Sequence, residues 1–328
     1  MRILFITTIN PRCQGDLLEV SILHGMREIL GENCIDYPRK RIMYHDFSVS
    51  PKDQLHGRGF TLLTTPIKDI PDVLRNISTG SNFDAVIYGD GHIYGEVAND
   101  RRINSLANGN YWVLDGHDLY GGAPIKIQHN GEEVIGVQFD RCFKRELVTG
   151  IDESLKIFPT GFGIPEERIR PISLEIKDQL YQKTVPDHAI FREIGDLGGG
   201  FSHHKFTDEN EYYMDLSRSW FGLSSKKGGW DTLRHYEIIA AGTLLLFRDY
   251  NQKPEYCSPM NLPAVSYSSP EELNSIMDNL VVDGKPTDEY IKLLDSQRRW
   301  LIDEATTKAR AQYILNIIQN EKDTSHRH

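Results

Sequence analysis

Arg234 and Glu237 stand three residues apart in a stretch, Gly228 to Phe247, that reads as a glycine turn, a short helix and a buried strand. On a helix Trp230, Arg234, Glu237 and Ala241 fall at i, i+4, i+7 and i+11, so one cation and one carboxylate share a face. A carboxylate there suits a pair of sugar hydroxyls, and a fixed guanidinium suits a phosphate. Gly228 and Gly229 ahead of the helix, with Asp231, would leave backbone N–H groups and the positive dipole end open to an anion. Gly242 is the expected helix stop, and Thr243 to Phe247 has the apolar run of a central parallel strand.

Four other groups carry candidate chemistry. Asp115, His117 and Asp118 follow an apolar strand and would supply a general base for an acceptor hydroxyl; read as turn formers, they only shape a loop. Gly89, Asp90 and His92 follow another strand, the place where α/β proteins set ligand loops, and form a candidate acceptor-side loop. The spacing of Gly89, Gly91 and Gly95 departs from the dinucleotide fingerprint. Gly198, Gly199 and Gly200 would let backbone N–H groups approach a diphosphate, with His203 and Lys205 beside them. Lys226 or Lys227 would reach the same group, and Lys144 would face the cleft. Arg145 reads as a surface cation, and Arg39, Lys40 and Arg41 as a solvated loop. His203 and His204 are adjacent and lack ligands at metal-site spacing, so no metal is expected.

These groups need a scaffold, and the apolar pattern supplies one. Arg2 to Thr8 reads as a buried strand and Leu17 to Leu30 as a helix, with Asp16 and Glu19 as its capping box. Strands are expected over 83–88, 111–115, 134–140, 189–194, 220–224, 243–247 and 264–267, and helices over 67–77, 141–148, 208–218, 270–280, 288–294 and 298–319. Thr207 is the expected cap of the 208–218 helix, and Ser269 with Pro270 opens the 270–280 helix. The Pro- and Gly-dense segment 158–167 reads as a linker. The expectation is an α/β protein of two Rossmann-like domains, residues 1–164 and 165–297, with a terminal helix about 298–320 packing back on the first.

Composition narrows the partners. A chain of 328 residues is long for one core, and a formal net charge of −10 argues against tight nonspecific nucleic-acid binding. Four scattered cysteines indicate neither a disulfide framework nor zinc, and suit a reducing cytoplasm. The first apolar run is too short for a signal peptide, and no run of eighteen apolar residues would span a membrane.

The pattern formed by Gly229, Asp231, Arg234, Glu237 and Gly242 resembles the nucleotide-binding half of GT-B glycosyltransferases, closest to the spore-maturation CgeB-like proteins and more loosely to exostosins. Tyr212, Tyr213 and 217–224 extend the likeness, as does 143–146 upstream. It implies two Rossmann-like domains facing each other across a cleft, and a sugar moved without a metal from a nucleotide-diphosphate donor, UDP-sugar foremost, to an acceptor hydroxyl. In that reading Glu237 holds the ribose, Gly242 and Thr243 lie near the diphosphate, and Arg234 stabilises the leaving group. The acceptor would be a glycan, a protein or a modified DNA base. Related retaining enzymes carry a second glutamate where this chain has Gly229, so the stereochemistry is open. A sugar-nucleotide epimerase of the same fold and a noncatalytic sugar-nucleotide-binding protein are the alternatives.

Overall fold

The structure is a computed structural model that describes residues 1–7, 17–44, 56–67, 82–89, 106, 110–116, 118, 125–129, 132–137, 141–148, 156–183 and 206–325. The expected strand 189–194 lies outside these, as does all but the first residue of the expected helix 67–77.

The first half contributes strands β1 (Ile3–Ile6), β2 (Cys34–Tyr37), β3 (Ala85–Tyr88), β4 (Tyr111–Asp115), β5 (Ile125–His129), β6 (Glu132–Val137), β7 (Cys142–Lys144) and β8 (Ile157–Pro159). Six of them form one sheet, in the order β2-β1-β3-β4-β7-β8, and every pairing in it is parallel. Strands of a parallel sheet are covered on both faces, which is why β1 and β3 are apolar without alternation and fully buried. Among the described residues β5 and β6 pair only with each other, as an antiparallel hairpin.

Helix α1 (Leu17–Leu30) covers this sheet and is buried from Leu18 through Arg27, polar positions included. The reason lies on its far side, where a second helix closes in. A Cβ on Gly25 would come within 1.9 Å of the Thr307 carbonyl oxygen, so only glycine permits the contact. Glu19, expected to cap α1, is instead fully buried and pairs with Lys40 at 3.1 Å. Lys40 is therefore an interior cation rather than part of a solvated loop.

The helix expected over 141–148 is a strand. Phe143 stacks on Trp112 at 4.9 Å between ring centroids, and the backbone of β7 is held by β4 on one side and β8 on the other. Three consecutive charges hid a segment whose alternate residues are all core.

The second half builds a four-stranded parallel sheet from β9 (Gln179–Tyr181), β10 (Ser219–Ser225), β11 (Leu244–Arg248) and β12 (Val265–Tyr267), in the order β12-β11-β10-β9. Around it lie α2 (Glu209–Ser217), α3 (Leu233–Ala240), α4 (Pro270–Leu280) and α5 (Asp288–Glu304). A short antiparallel pair, β13 (Val281–Val282) with β14 (Lys285–Pro286), links α4 to α5. Asp208, not Thr207, caps α2 by accepting from the N–H groups of Asn210 and Glu211. Ser269 caps α4 as expected, with Pro270 in its first turn.

The helix expected over about 298–320 is two. α5 ends at Glu304 and α6 (Thr307–Ser325) starts three residues on, because Ile164 intervenes. Its N–H donates to the Ala305 carbonyl and its carbonyl accepts from the Thr307 N–H, which takes both groups out of a continuous helix. The segment 158–167 is thus no loose linker: Phe162 and Ile164 are buried, and Gly163 passes 2.9 Å from Thr307 Cα by its virtual Cβ. α6 then runs back along α1. No described helix is long and apolar enough to cross a membrane.

Two interior side chains test this account. The Gln297 amide on α5 is fully buried; its oxygen accepts from the Leu245 N–H at 2.8 Å and its nitrogen donates to the Leu245 carbonyl at 3.0 Å, extending the ladder beside β11. Gln297→Leu leaves both groups unpaired and is expected to cost about 3 kcal/mol. A urea-denaturation loss below about 1 kcal/mol, relative to the exposed control Gln312→Leu, would refute that role.

His235 on α3 packs against Phe247 and is held neutral, its pKa lowered by burial to about 3 from 6.5. A depressed folded pKa stabilises above pH 6.5 and loses that contribution as the pH falls toward 3. The unfolding midpoint of the wild type should therefore drop more between pH 7 and pH 4.5 than that of His235→Gln. Equal drops would mean that the imidazole is not the group being charged.

Candidate functional site

α3 carries the two residues that anchor the site, but it begins at Leu233, so Trp230 and Asp231 precede it rather than share its face. Gly228 and Gly229 lie still earlier and do not form its N-terminal turn. Their lack of side chains serves another purpose. A Cβ on Gly228 would meet Asp118 Oδ2 at 2.1 Å, and one on Gly229 would meet Glu146 Oε1 at 2.2 Å. The space beside this turn is filled by carboxylates, not left open for a phosphate.

Those carboxylates are organised by Arg145, which is 3% exposed and not the surface cation its sequence context suggests. Its Nη1 donates to the Asp231 carbonyl at 2.6 Å and to Glu146 Oε1 at 3.1 Å, its Nη2 to Asp118, and its Nε to the Gly116 carbonyl at 3.0 Å. The guanidinium also lies over the Phe162 ring, 4.8 Å from its centroid. Burial opposes its charge, yet Asp231, Glu146 and Asp118 outweigh that, and its pKa is raised. The Asp231 carboxylate accepts from the Phe162 N–H at 2.9 Å and the Tyr236 hydroxyl at 2.7 Å, so both oxygens are spent inside the protein. Burial raises its pKa and that of Glu146.

The expected base cluster is split. Asp115 is buried and accepts from Lys144 Nζ at 2.6 Å, so the cation expected in the cleft and the first aspartate satisfy each other. Asp118 is the member that reaches the surface, its side chain 52% exposed beside Gly228. His117 lies outside the described residues, as do Asp90, His92, Gly199, Gly200, His203 and Lys205. Gly89 follows β3, where the sheet order reverses between β1 and β3; its virtual Cβ would meet Glu19 Cγ at 2.6 Å.

Glu237 holds a different arrangement. Its Oε1 accepts from the Thr61 hydroxyl at 2.5 Å and its Oε2 from the Tyr212 hydroxyl at 2.7 Å. Burial raises its pKa, while these two hydrogen bonds and Arg234 pull it down. Thr61 reaches it from a strap, residues 56–65, that is pinned to α2: the Thr61 N–H and the Thr64 hydroxyl both donate to Glu209 Oε1, at 2.6 and 2.9 Å. Arg168 completes the clasp, at 3.2 Å from Glu209 Oε2 and 2.6 Å from the Thr65 hydroxyl. Thr61 has φ 72°, left-handed for a β-branched residue, which costs about 1–3 kcal/mol and persists where the surroundings impose it. Arg234, half-buried one turn before Glu237, makes no hydrogen bond or ion pair with any described residue.

Sequence reading missed Thr61, Glu209 and Arg168, and used Tyr212 to extend the resemblance. Only the doublet Tyr212 and Tyr213 carried a signal. Gly242 ends α3 with φ 78° and lets Ile172 approach, as a helix-terminal glycine does. Thr243 is fully buried and donates to the Leu216 carbonyl at 2.6 Å, and Lys227 is exposed.

No family model and no curated protein sequence matches this chain. Among solved structures, an alpha-glucosyltransferase in complex with UDP and a 13-mer DNA containing a HMU base matches with a TM-score of 0.53 and 9% sequence identity, over 97% of this chain and 99% of that one. The N-terminal domain of a trehalose-6-phosphate phosphatase from Candida albicans aligns at a TM-score of 0.41 and 10% identity, over 97% and 96%. At such identities the first likeness concerns the fold alone, and it does not single out the CgeB-like proteins or exostosins. The mixed α/β arrangement with parallel sheets is, in broad terms, the fold of that glucosyltransferase structure.

Proposed function

We propose that this chain is a GT-B glycosyltransferase in which two Rossmann-like lobes face each other across a cleft, and that it moves a sugar from a nucleotide-diphosphate donor to an acceptor hydroxyl. The observation that carries the reading is Glu237. One carboxylate receives two hydroxyls, at 2.5 and 2.7 Å, as the vicinal diol of a ribose would present them, and a guanidinium that makes no hydrogen bond or ion pair with any described residue stands one turn away. A ribose would take the places of the Thr61 and Tyr212 hydroxyls, and Arg234 would receive the diphosphate.

In the transfer, the bond from the anomeric carbon to the diphosphate oxygen breaks and one to the acceptor oxygen forms. The nucleoside diphosphate leaves with the electron pair, its charge met by Arg234. The acceptor hydroxyl gives its proton to a base, and Asp118 is the carboxylate of the expected cluster that is exposed enough to take it. Asp115 is committed to Lys144. A UDP-sugar is the donor of choice, since the glucosyltransferase with the similar fold binds UDP. That enzyme also binds DNA, which keeps a modified base among acceptors beside glycans and proteins; a net charge of −10 disfavours nonspecific duplex binding. A noncatalytic sugar-nucleotide-binding protein is the second reading, favoured by the Lys144–Asp115 pairing, which leaves a single exposed carboxylate in that cluster among the described residues.

A thermal-shift panel of UDP-, GDP-, dTDP- and CMP-sugars separates these readings. A nucleotide sugar at a hundred times its Kd stabilises by about 2.7 kcal/mol, and that shift should vanish in Glu237→Ala and Arg234→Ala. No shift with any of the four would sink both readings. Where a sugar nucleotide binds, Asp118→Asn should leave its Kd within about twofold and lower its slow hydrolysis at least a hundredfold. Undetectable hydrolysis in the wild type would leave the noncatalytic reading standing instead.

A further inference from the structure

We propose that His24, Glu28 and Glu167 form a divalent-metal site that pins α1 to the segment joining the two sheets. His24 and Glu28 are i and i+4 on α1 and so share a face, and Glu167 lies in the short 3-10 turn Glu166–Arg168 that follows Ile164. A ring nitrogen of His24 and one carboxylate oxygen from each glutamate lie within 4.8 Å of one another. Ligands around a tetrahedral Zn²⁺ stand about 3.4 Å apart, given bonds of about 2.0–2.2 Å, so a modest rotation of the exposed Glu167 closes the site.

His24 is set for this role. It is 2% exposed, and its Nδ1 is fixed at 2.9 Å from the Thr307 hydroxyl, while Nε2 makes no hydrogen bond with any described residue. A ring held through one nitrogen and open at the other is how proteins orient a metal-binding imidazole. Two carboxylates supply two negative charges for a dication. The surrounding charges are Glu166 and Lys308; the lysine bonds Glu166 at 2.7 Å and forms a longer ion pair with Glu28 at 4.0 Å, which a dication at the site would replace.

One imidazole and two carboxylates favour Zn²⁺, or Co²⁺ as its substitute, over Mg²⁺ and Ca²⁺, and three protein ligands leave a place for water. Thr307 sits where α6 begins, donates its N–H to the Ile164 carbonyl, and packs on Gly25 and Gly163. A bound ion would therefore tie α1, the crossing segment and the start of α6 together. This role is independent of any sugar chemistry.

The test uses the full chain after EDTA treatment, titrated with Zn²⁺ by calorimetry and by thermal melting, with Co²⁺ absorption as a probe of the ligand set. Wild type should bind one Zn²⁺ at least tenfold more tightly than Glu167→Gln, with a Tm rise of about 3 °C or more that the variant lacks; Mg²⁺ should do neither. Co²⁺ should give visible d–d bands in the wild type that the variant loses. Glu167 is exposed, so its replacement leaves the fold intact, whereas His24→Ala opens the interior and is secondary evidence only. Equal Zn²⁺ affinity in wild type and Glu167→Gln would overturn the site and assign the metal to others of the 12 histidines, and no binding at all would overturn it directly.

Discussion

A guanidinium out of water must find partners for a rigid fork of donors, and in this protein Arg145 finds them on three separate stretches of chain. The Gly116 carbonyl and Asp118 come from the end of β4, Glu146 from the strand's own continuation, and the Asp231 carbonyl from the approach to α3. None of these can shift alone without stranding a buried charge, a loss of order 3–5 kcal/mol. Lysine could not replace it, because one ammonium cannot address four acceptors spread in a plane. Everything that follows β10 on the way to α3 is positioned by this contact, so the face presenting Arg234 and Glu237 depends on a residue 89 positions before the first of them.

The second constraint is a competition at Glu237. Its two oxygens are bonded to hydroxyls of the protein, and one of these, Thr61, is delivered by a strap that the clasp of Glu209 and Arg168 holds in a left-handed turn. In the proposed reading, a ligand diol would take the carboxylate only by displacing Thr61. The strap and the ligand would then be alternatives at one acceptor. A raised pKa has the same origin: Glu237 is buried because the strap covers it, and the covered state favours the proton more than the solvated one does.

What sequence made legible was whatever depends on neighbours in the chain. β1, β4, β10 and β11 announced themselves as apolar runs, and the Ser269 cap and the Gly242 stop are local chemistry that geometry near each residue requires. Buried charges have no such signature. Lys144 meets an aspartate 29 residues away, Arg145 a carbonyl 86 residues away, and Glu237 a hydroxyl 176 residues away, so none of these partners is visible until the fold closes. The break between α5 and α6 was hidden likewise, since Ala305 and Thr306 are tolerated in a helix and only the arrival of Ile164 opens the backbone there.

Gly229 shows how the two levels meet. The retaining enzymes of the sequence resemblance carry a second glutamate at that position, and its absence leaves the stereochemistry open there. In the fold, any side chain at 229 would run into Glu146 Oε1, which lies 2.2 Å from where a Cβ would begin. The volume already holds a carboxylate, contributed by the strand after β7's core residues and bonded to the Asp231 N–H at 3.0 Å and to Arg145. Acidic character beside the turn is thus supplied by the first half of the chain. The placement has a chemical consequence. A glutamate at 229 would ride on the turn and be free to meet a ligand, whereas Glu146 is fully buried and tied to a guanidinium, so it fixes the turn's position and leaves the exposed Asp118 as the carboxylate that faces outward.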